Sequence, residues 1–281
     1  MTQDARSDAN EFCCRVGGFE HGRFRLSRMH PRFRELGPIG PPTVVFPREA
    51  VRITQQDADP VVTDPTVVVF YNARCTYTRE ALGPRGDRCE WFSLPTGFLD
   101  DHGLDPERPF ARAYAPSHPS LYAEQRRLTE SIRAGRLDAL ETEERLLDLL
   151  TRATNLGIER CAGPPAARAG TARAHRELAE ETRRILATRF AEPLTLASLA
   201  RSVHSSPHHL ARVFRAQTGS SIHACLRHLR LTNALEMIAA GLDLTRIALS
   251  VGFGSHSHFT AAFRTLYGVP PAKWRANLAG S

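Results

Sequence analysis

The chain has 281 residues, of which 42% are hydrophobic and 24% charged, the balance of an ordinary globular protein and not of a disordered or fibrous one. Its formal charge of +7 lies in the tail: residues 171–281 hold 14 Lys and Arg against 6 Asp and Glu, whereas residues 1–170 hold 23 against 24. No stretch approaches the roughly 18 apolar residues of a membrane span, and Met1 to Phe12 is too polar for a secretory leader, so a cytoplasmic protein is expected.

Residues 42–94 carry short β-branched runs, Thr43 to Phe46, Thr66 to Tyr71 and Cys89 to Leu94, separated by turn residues such as Pro60, Asp64-Pro65 and Gly83-Pro84. Strands this short, with turns this dense, favour a β-sandwich or barrel over alternating strand and helix. From Ser120 the period becomes helical. Leu121, Gln125, Leu128 and Ile132 share one face, and Ala139, Glu143, Leu146, Leu150 and Ala153 share another, with Gly135 between them, so a helical hairpin is expected over 120–155. Such a hairpin either covers the sheet or forms a dimer seam. Residues 156–174 lose periodicity and collect Gly, Pro and Ala, which reads as a linker.

The tail repeats itself. Leu199, Ala200 and Val203 recur 48 positions later as Ile247, Ala248 and Val251; Ser206, Leu210, Val213, Phe214, Arg215 and Gly219 recur 49 positions later as Ser255, Phe259, Ala262, Phe263, Arg264 and Gly268. Each copy reads as a helix-turn-helix: a helix with an apolar stripe, a tight turn, and a second helix opened by a serine cap. A leading helix is expected over about 176–189. Between the copies, Ser221 to Ala240 has no internal Gly or Pro and predicts one rigid helix. At ~1.5 Å per residue its length approaches the ~34 Å between successive major-groove faces of a duplex. A basic domain of this kind points to double-stranded DNA.

The arrangement Leu199-Ala200, Ser206, Leu210, Phe214-Arg215, Gly219, Arg230-Leu231, Ala234, Ile247-Ala248, Gly252-Phe253, Phe259, Phe263-Arg264, Gly268, Pro271 and Trp274-Arg275 resembles the AraC/XylS family of bacterial transcription regulators. The resemblance implies an all-α DNA-binding domain with two helix-turn-helix units joined by a long helix over 175–281. It further implies a companion over 1–155 that senses an effector or dimerises, a cupin-like β-barrel over 12–118 with the helical hairpin. The whole is then an α+β chain, a homodimeric activator that touches RNA polymerase. Carried onto this sequence, the positions that meet base edges are His208, Ala211 and Arg212 in the first unit and His256, Ser257, Thr260 and Ala261 in the second. Arg215, Arg264, Ser206 and Ser255 fit phosphate contacts.

Enzymatic and metal chemistry find little in the residues. His256 and His258 are two apart on a helix and point roughly 200° apart, which prevents them sharing an ion. A metal-dependent cupin needs a His-x-His pair, but the first half holds His21, His30, His102 and His118, none two apart. Six cysteines, Cys13, Cys14, Cys75, Cys89, Cys161 and Cys225, form no Cys-x-x-Cys pair, so free thiols and no cofactor are expected. Cys13, Cys14 and Cys89 are candidate sensors, because Gly86-Asp87-Arg88-Cys89 resembles a turn of some family members and the first strand would bring Cys13 or Cys14 beside it. The rivals to a regulator are a cysteine-dependent alkyl acceptor or cupin enzyme tethered to DNA, and an architectural binder without sequence preference.

Overall fold

A computed structural model describes residues 10–158 and 169–279, and the chain divides into two compact units that meet between residues 160 and 161. The first unit is rich in sheet and the second is helical.

The strands of the first unit are β1 (Asn10–Val16), β2 (Phe19–Leu26), β3 (Glu35–Leu36), β4 (Thr43–Pro47), β5 (Val51–Gln55), β6 (Val61–Thr63), β7 (Val67–Tyr71), β8 (Tyr77–Ala81), β9 (Asp87–Ser93) and β10 (Tyr114–Pro116). They pair antiparallel in two sheets, one in the order β1-β2-β9-β4-β7-β10 and one in the order β3-β8-β5-β6. The run Val67 to Tyr71 is buried throughout, as a strand without polar interruption must be when both its faces are covered. Val67, Val69 and Tyr71 pack with Val45, Val51, Ile53 and Val61 in a core shared by the two sheets. Phe70, on the other face, meets Phe110 with ring centres 5.0 Å apart.

The expected closed barrel does not form; the strands make two open sheets. Between β6 and β7 the chain passes through Asp64-Pro65, where Pro65 has no N–H for a ladder and the Asp64 carboxylate accepts from the Thr66 N–H at 2.7 Å. The ladder stops there, and β7 resumes in the other sheet.

Helices α1 (Thr96–Asp101), α2 (Pro119–Arg133) and α3 (Ala139–Ile158) complete the unit, with Gly135 at φ +61° in the turn of the hairpin. Helix α3 runs past the expected end of the hairpin into the expected linker, to Ile158. At Gly157 an added Cβ would lie 2.8 Å from Phe110 and 3.0 Å from Phe70, so glycine is what lets the helix approach the sheet. Glu90 of β9 pins α2 to the sheet, with Arg48 at 2.5 Å, Arg126 and Arg23 each at 3.3 Å, and the Thr129 hydroxyl donating at 2.8 Å. Burial alone would raise this carboxyl, but Arg48, Arg126, His21 and Arg23 outweigh it and hold Glu90 well below the usual carboxylate range.

The second unit comprises α4 (Ala169–Arg189), α5 (Leu196–Ser202), α6 (Pro207–Thr218), α7 (Ile222–Ala239), α8 (Leu244–Ser250), α9 (His256–Tyr267) and α10 (Pro271–Ala279). Helix α4 begins before the expected start near residue 176, which shortens the linker from the other end. Ala169, Ala172 and Ala174 have the highest helix propensity of any residue, and Arg173 donates to Glu177 one turn on at 2.7 Å. Residues 159–168 of the expected linker lie outside the described residues. The single helix expected between the repeats is present as α7, capped by the Ser221 hydroxyl, which accepts from the Ala224 N–H at 3.1 Å.

Candidate nucleic-acid interface

Short-range hydrogen bonding sets the boundaries of both helix pairs in the second unit. Thr195 and Ser198 close a reciprocal capping box ahead of α5. Ser206 Oγ accepts from the His209 N–H at 3.2 Å and Pro207 occupies the first helical position, so α6 starts there. It stops at Gly219, φ +72°, a left-handed position that favours glycine. The second pair follows the same rules. Asp243 caps α8 by accepting from the Arg246 N–H at 2.8 Å, Ser255 caps α9 by accepting from the His258 N–H at 3.2 Å, and Gly268 ends α9 at φ +77°.

Burial then selects what each second helix shows. In α6, Leu210, Val213 and Phe214 are buried, which leaves His208, Ala211, Arg212 and Arg215 on one stripe at helical spacings of three, one and three, with Ala211 half-buried and the others exposed. In α9, Phe259, Ala262 and Phe263 are buried, and Ser257, Thr260, Ala261 and Arg264 form the same stripe 49 positions later. Thr260 is half-buried and the other three are exposed. His256, at the first position of α9, is also exposed and lies 3.5 Å from the Thr260 hydroxyl. The two stripes differ in charge. Arg212, whose Nη2 is 3.4 Å from His209 Nδ1, is matched in the repeat by Ala261, so the first stripe carries two guanidinium groups and the second only Arg264. Two exposed arginines passed over in the sequence, Arg201 on α5 and Arg246 on α8, add charge to the same unit; solvent-facing arginines on the supporting helices were the available signal.

Residues 199–277 match a family model described as a helix-turn-helix domain. The HTH-type transcriptional regulator GlxA of Rhizobium meliloti (strain 1021) is 34% identical over 89 residues, 31% of this chain and 28% of GlxA. The HTH-type transcriptional regulator MtrA of Neisseria gonorrhoeae is 40% identical over 67 residues, 24% of this chain and 22% of MtrA. Over this stretch the helical unit is similar to regulators of the AraC/XylS family. The chain spans less than a third of either relative's length. A solved structure, the C-terminal domain of AraT, a response regulator from Geobacillus stearothermophilus, is 29% identical with a TM-score of 0.35, covering 35% of this chain and 84% of that one.

In the helical unit the stripes stand on packed cores. Ile185, Leu186, Leu199, Leu210, Phe214 and Leu229 pack behind α6. Behind α9, the Phe263 ring lies 5.7 Å from Phe259, 4.6 Å from Tyr267 and 6.0 Å from Trp274, each in an edge-on arrangement. Trp274 is therefore a packing residue.

The first unit contains a second candidate site, a cavity of about 190 Å³ lined by residues from both sheets, among them Val51, Ile53, Tyr71, Tyr77, Cys89 and Trp91. The Trp91 indole N–H is buried without an acceptor, and Arg79 pairs with Asp87 at the lining. Sequence patterning did not show this cavity, because it depends on which strands face each other across the sheets. Nor does the structure bring the expected thiols together. Cys89 lies opposite Phe24 and Cys14 opposite His21 on β2, so three residues, roughly 10 Å along a strand, separate them in addition to two strand spacings. The expected turn lies earlier, at Pro84-Arg85; Gly86 leaves it at φ +75° and Asp87 already begins β9. The Cys13 side chain and Cys161 lie outside what is described. Burial, reinforced by Asp87, raises the Cys89 thiol well above its ordinary pKa. At a pH of about 7.5, iodoacetamide should modify Cys89 at least about tenfold more slowly than free cysteine, as followed by mass spectrometry; fast labelling would mean that the group is a thiolate.

Proposed function

We propose that this protein is a sequence-specific DNA-binding transcription regulator, an activator, that lays α6 and α9 into successive major grooves of double-stranded DNA. The observation that carries the reading is the pair of matched stripes on two capped helices, in a tail with 14 basic against 6 acidic residues. Helix α7, with 18 residues, spaces the pairs rigidly over a length of about 27 Å, the order of the ~34 Å groove repeat. Arg212 offers a bidentate fork to guanine O6 and N7, while Ala211 and Ala261 offer methyl contact and His208, His256, Ser257 and Thr260 short polar contact. Arg215 and Arg264 face phosphates. So do Ser206 and Ser255, whose oxygens accept the cap bonds and whose hydroxyl protons are left to donate.

Substitution tests the assignment on duplexes selected from random sequence. Arg212→Ala should weaken binding by about 1–3 kcal/mol and relax one base position, whereas Arg215→Ala should weaken every sequence alike and make the slope of log affinity against log salt shallower by about 0.9. Losses that ignore sequence in both variants would sink the base-reading role of Arg212.

The first unit supplies control in this reading. Its cavity suits a small, largely apolar effector with a hydrogen-bond acceptor: apolar side chains dominate the lining, and the buried Trp91 indole N–H there is left to donate. Leu140 and Leu147, seven apart on α3, are 68% and 45% exposed and supply an apolar stripe for a homodimer seam. As an activator, the bound protein would engage RNA polymerase.

A further inference from the structure

The two helix pairs of the second unit make no extensive helix-to-helix contact with each other, so their relative placement depends on α7 and whatever braces it. Arg230 stands midway along α7. Its Nε donates to the Phe190 carbonyl at 2.7 Å and its Nη2 to the Glu192 carbonyl at 2.8 Å, which ties the connector to the turn ahead of the first pair. Gly252, in the turn of the second pair, rests on the same place. An added Cβ there would lie 2.7 Å from the Ala191 carbonyl oxygen and 3.0 Å from Arg230 Cζ and Nε, at a φ of +91° that already disfavours a side chain. One guanidinium is thus clamped between the leading turn of one pair and the inner turn of the other. Its planar fork reaches two carbonyls at once, which a lysine ammonium on a flexible stem does not reproduce.

We propose that Arg230 and Gly252 form a brace that fixes the two helix pairs relative to each other and so sets the half-site spacing that the protein accepts on DNA. The inference rests on the two-headed reading above. Each base pair added between half-sites turns the second groove by about 35° and moves it by about 3.4 Å, so only a stiff joint would penalise a change of one.

The test uses the full chain and a duplex selected from random sequence, with one base pair inserted or deleted between its half-sites and each half-site also presented alone, followed by fluorescence anisotropy. The unaltered protein should lose at least about tenfold in affinity on either altered spacing. Gly252→Ala and Arg230→Ala should bind the original spacing more weakly, flatten the whole profile to within about threefold, and leave isolated half-sites unaffected. Gly254→Ala, in the same turn with nothing within 4 Å of an added Cβ, should keep the sharp profile. Arg230→Lys should flatten it in part, and it decides the matter if the alanine variants lose their helical circular dichroism. A sharp profile in the brace variants, or an equal loss on isolated half-sites, overturns the brace while leaving two-headed binding intact. An unaltered protein indifferent to spacing removes the two-headed reading and the brace together.

Discussion

Glu90→Gln should destabilise the sheet-rich unit by about 3–5 kcal/mol, because it removes the buried carboxylate that Arg48 and Arg126 share. For a unit of this size that corresponds to a fall of roughly 6–20 °C in its melting temperature, read by calorimetry on the intact chain. A fall of less than about 2 °C would mean that the cluster does not hold α2 to the sheet. The sign of the pH dependence follows from the same group. A carboxyl held low in the folded state stabilises fully above its unfolded pKa of about 4.3, and that stabilisation is lost as the pH falls toward the folded value. His21 acts in the same direction, since burial, partly offset by Glu90, lowers its imidazole and opposes protonation. The unit should therefore weaken steeply below about pH 4.5, and Glu90→Gln should remove much of that slope.

Phe263→Ala should cost the helical unit about 3–5 kcal/mol, since the ring is fully buried and touches Phe259, Tyr267 and Trp274. With a urea slope of about 1–3 kcal/mol/M, the unfolding midpoint should move down by roughly 2 M, followed through the circular dichroism of the helices. DNA binding should disappear along the same transition. If binding outlived the loss of helix, the stripe on α9 would not be the reading surface.

Much of the helical unit was legible in the sequence because its determinants are local. Ser206 with Pro207 opens α6 and Gly219 closes it within a few residues, and the uninterrupted run after Ser221 is α7. The exposed stripes follow from which residues are apolar. The role of Arg230 was not legible, for its partners at Phe190 and Glu192 lie 40 and 38 positions away and a guanidinium on backbone carbonyls leaves no mark in the sequence.

In the sheet-rich unit, β4, β7 and β9 announced themselves through apolar runs. Strand β2, Phe19-Glu20-His21-Gly22-Arg23-Phe24-Arg25-Leu26, did not, because the partners of its buried His21 Nδ1 and half-buried Arg23 lie on β9 and α2. Pairing order is equally non-local, which is why a barrel was expected where two sheets form. The alanine-rich start of α4 shows a further ambiguity: it has helix propensity without an apolar face, so periodicity reads it as a linker.

Helix α7 buries residues around nearly its whole circumference, from Ile222, Cys225 and Leu226 through His228, Leu231 and Thr232 to Ala234, Leu235 and Ile238. Only a stripe through His223, Arg227, Asn233 and Met237 is left uncovered, so losing either neighbour would bare apolar surface. Neither half of the duplicated tail can therefore be expressed, shuffled or transplanted as a free-standing module, since cutting it away would strip one flank of the helix they share. The two halves are partners in one folding unit.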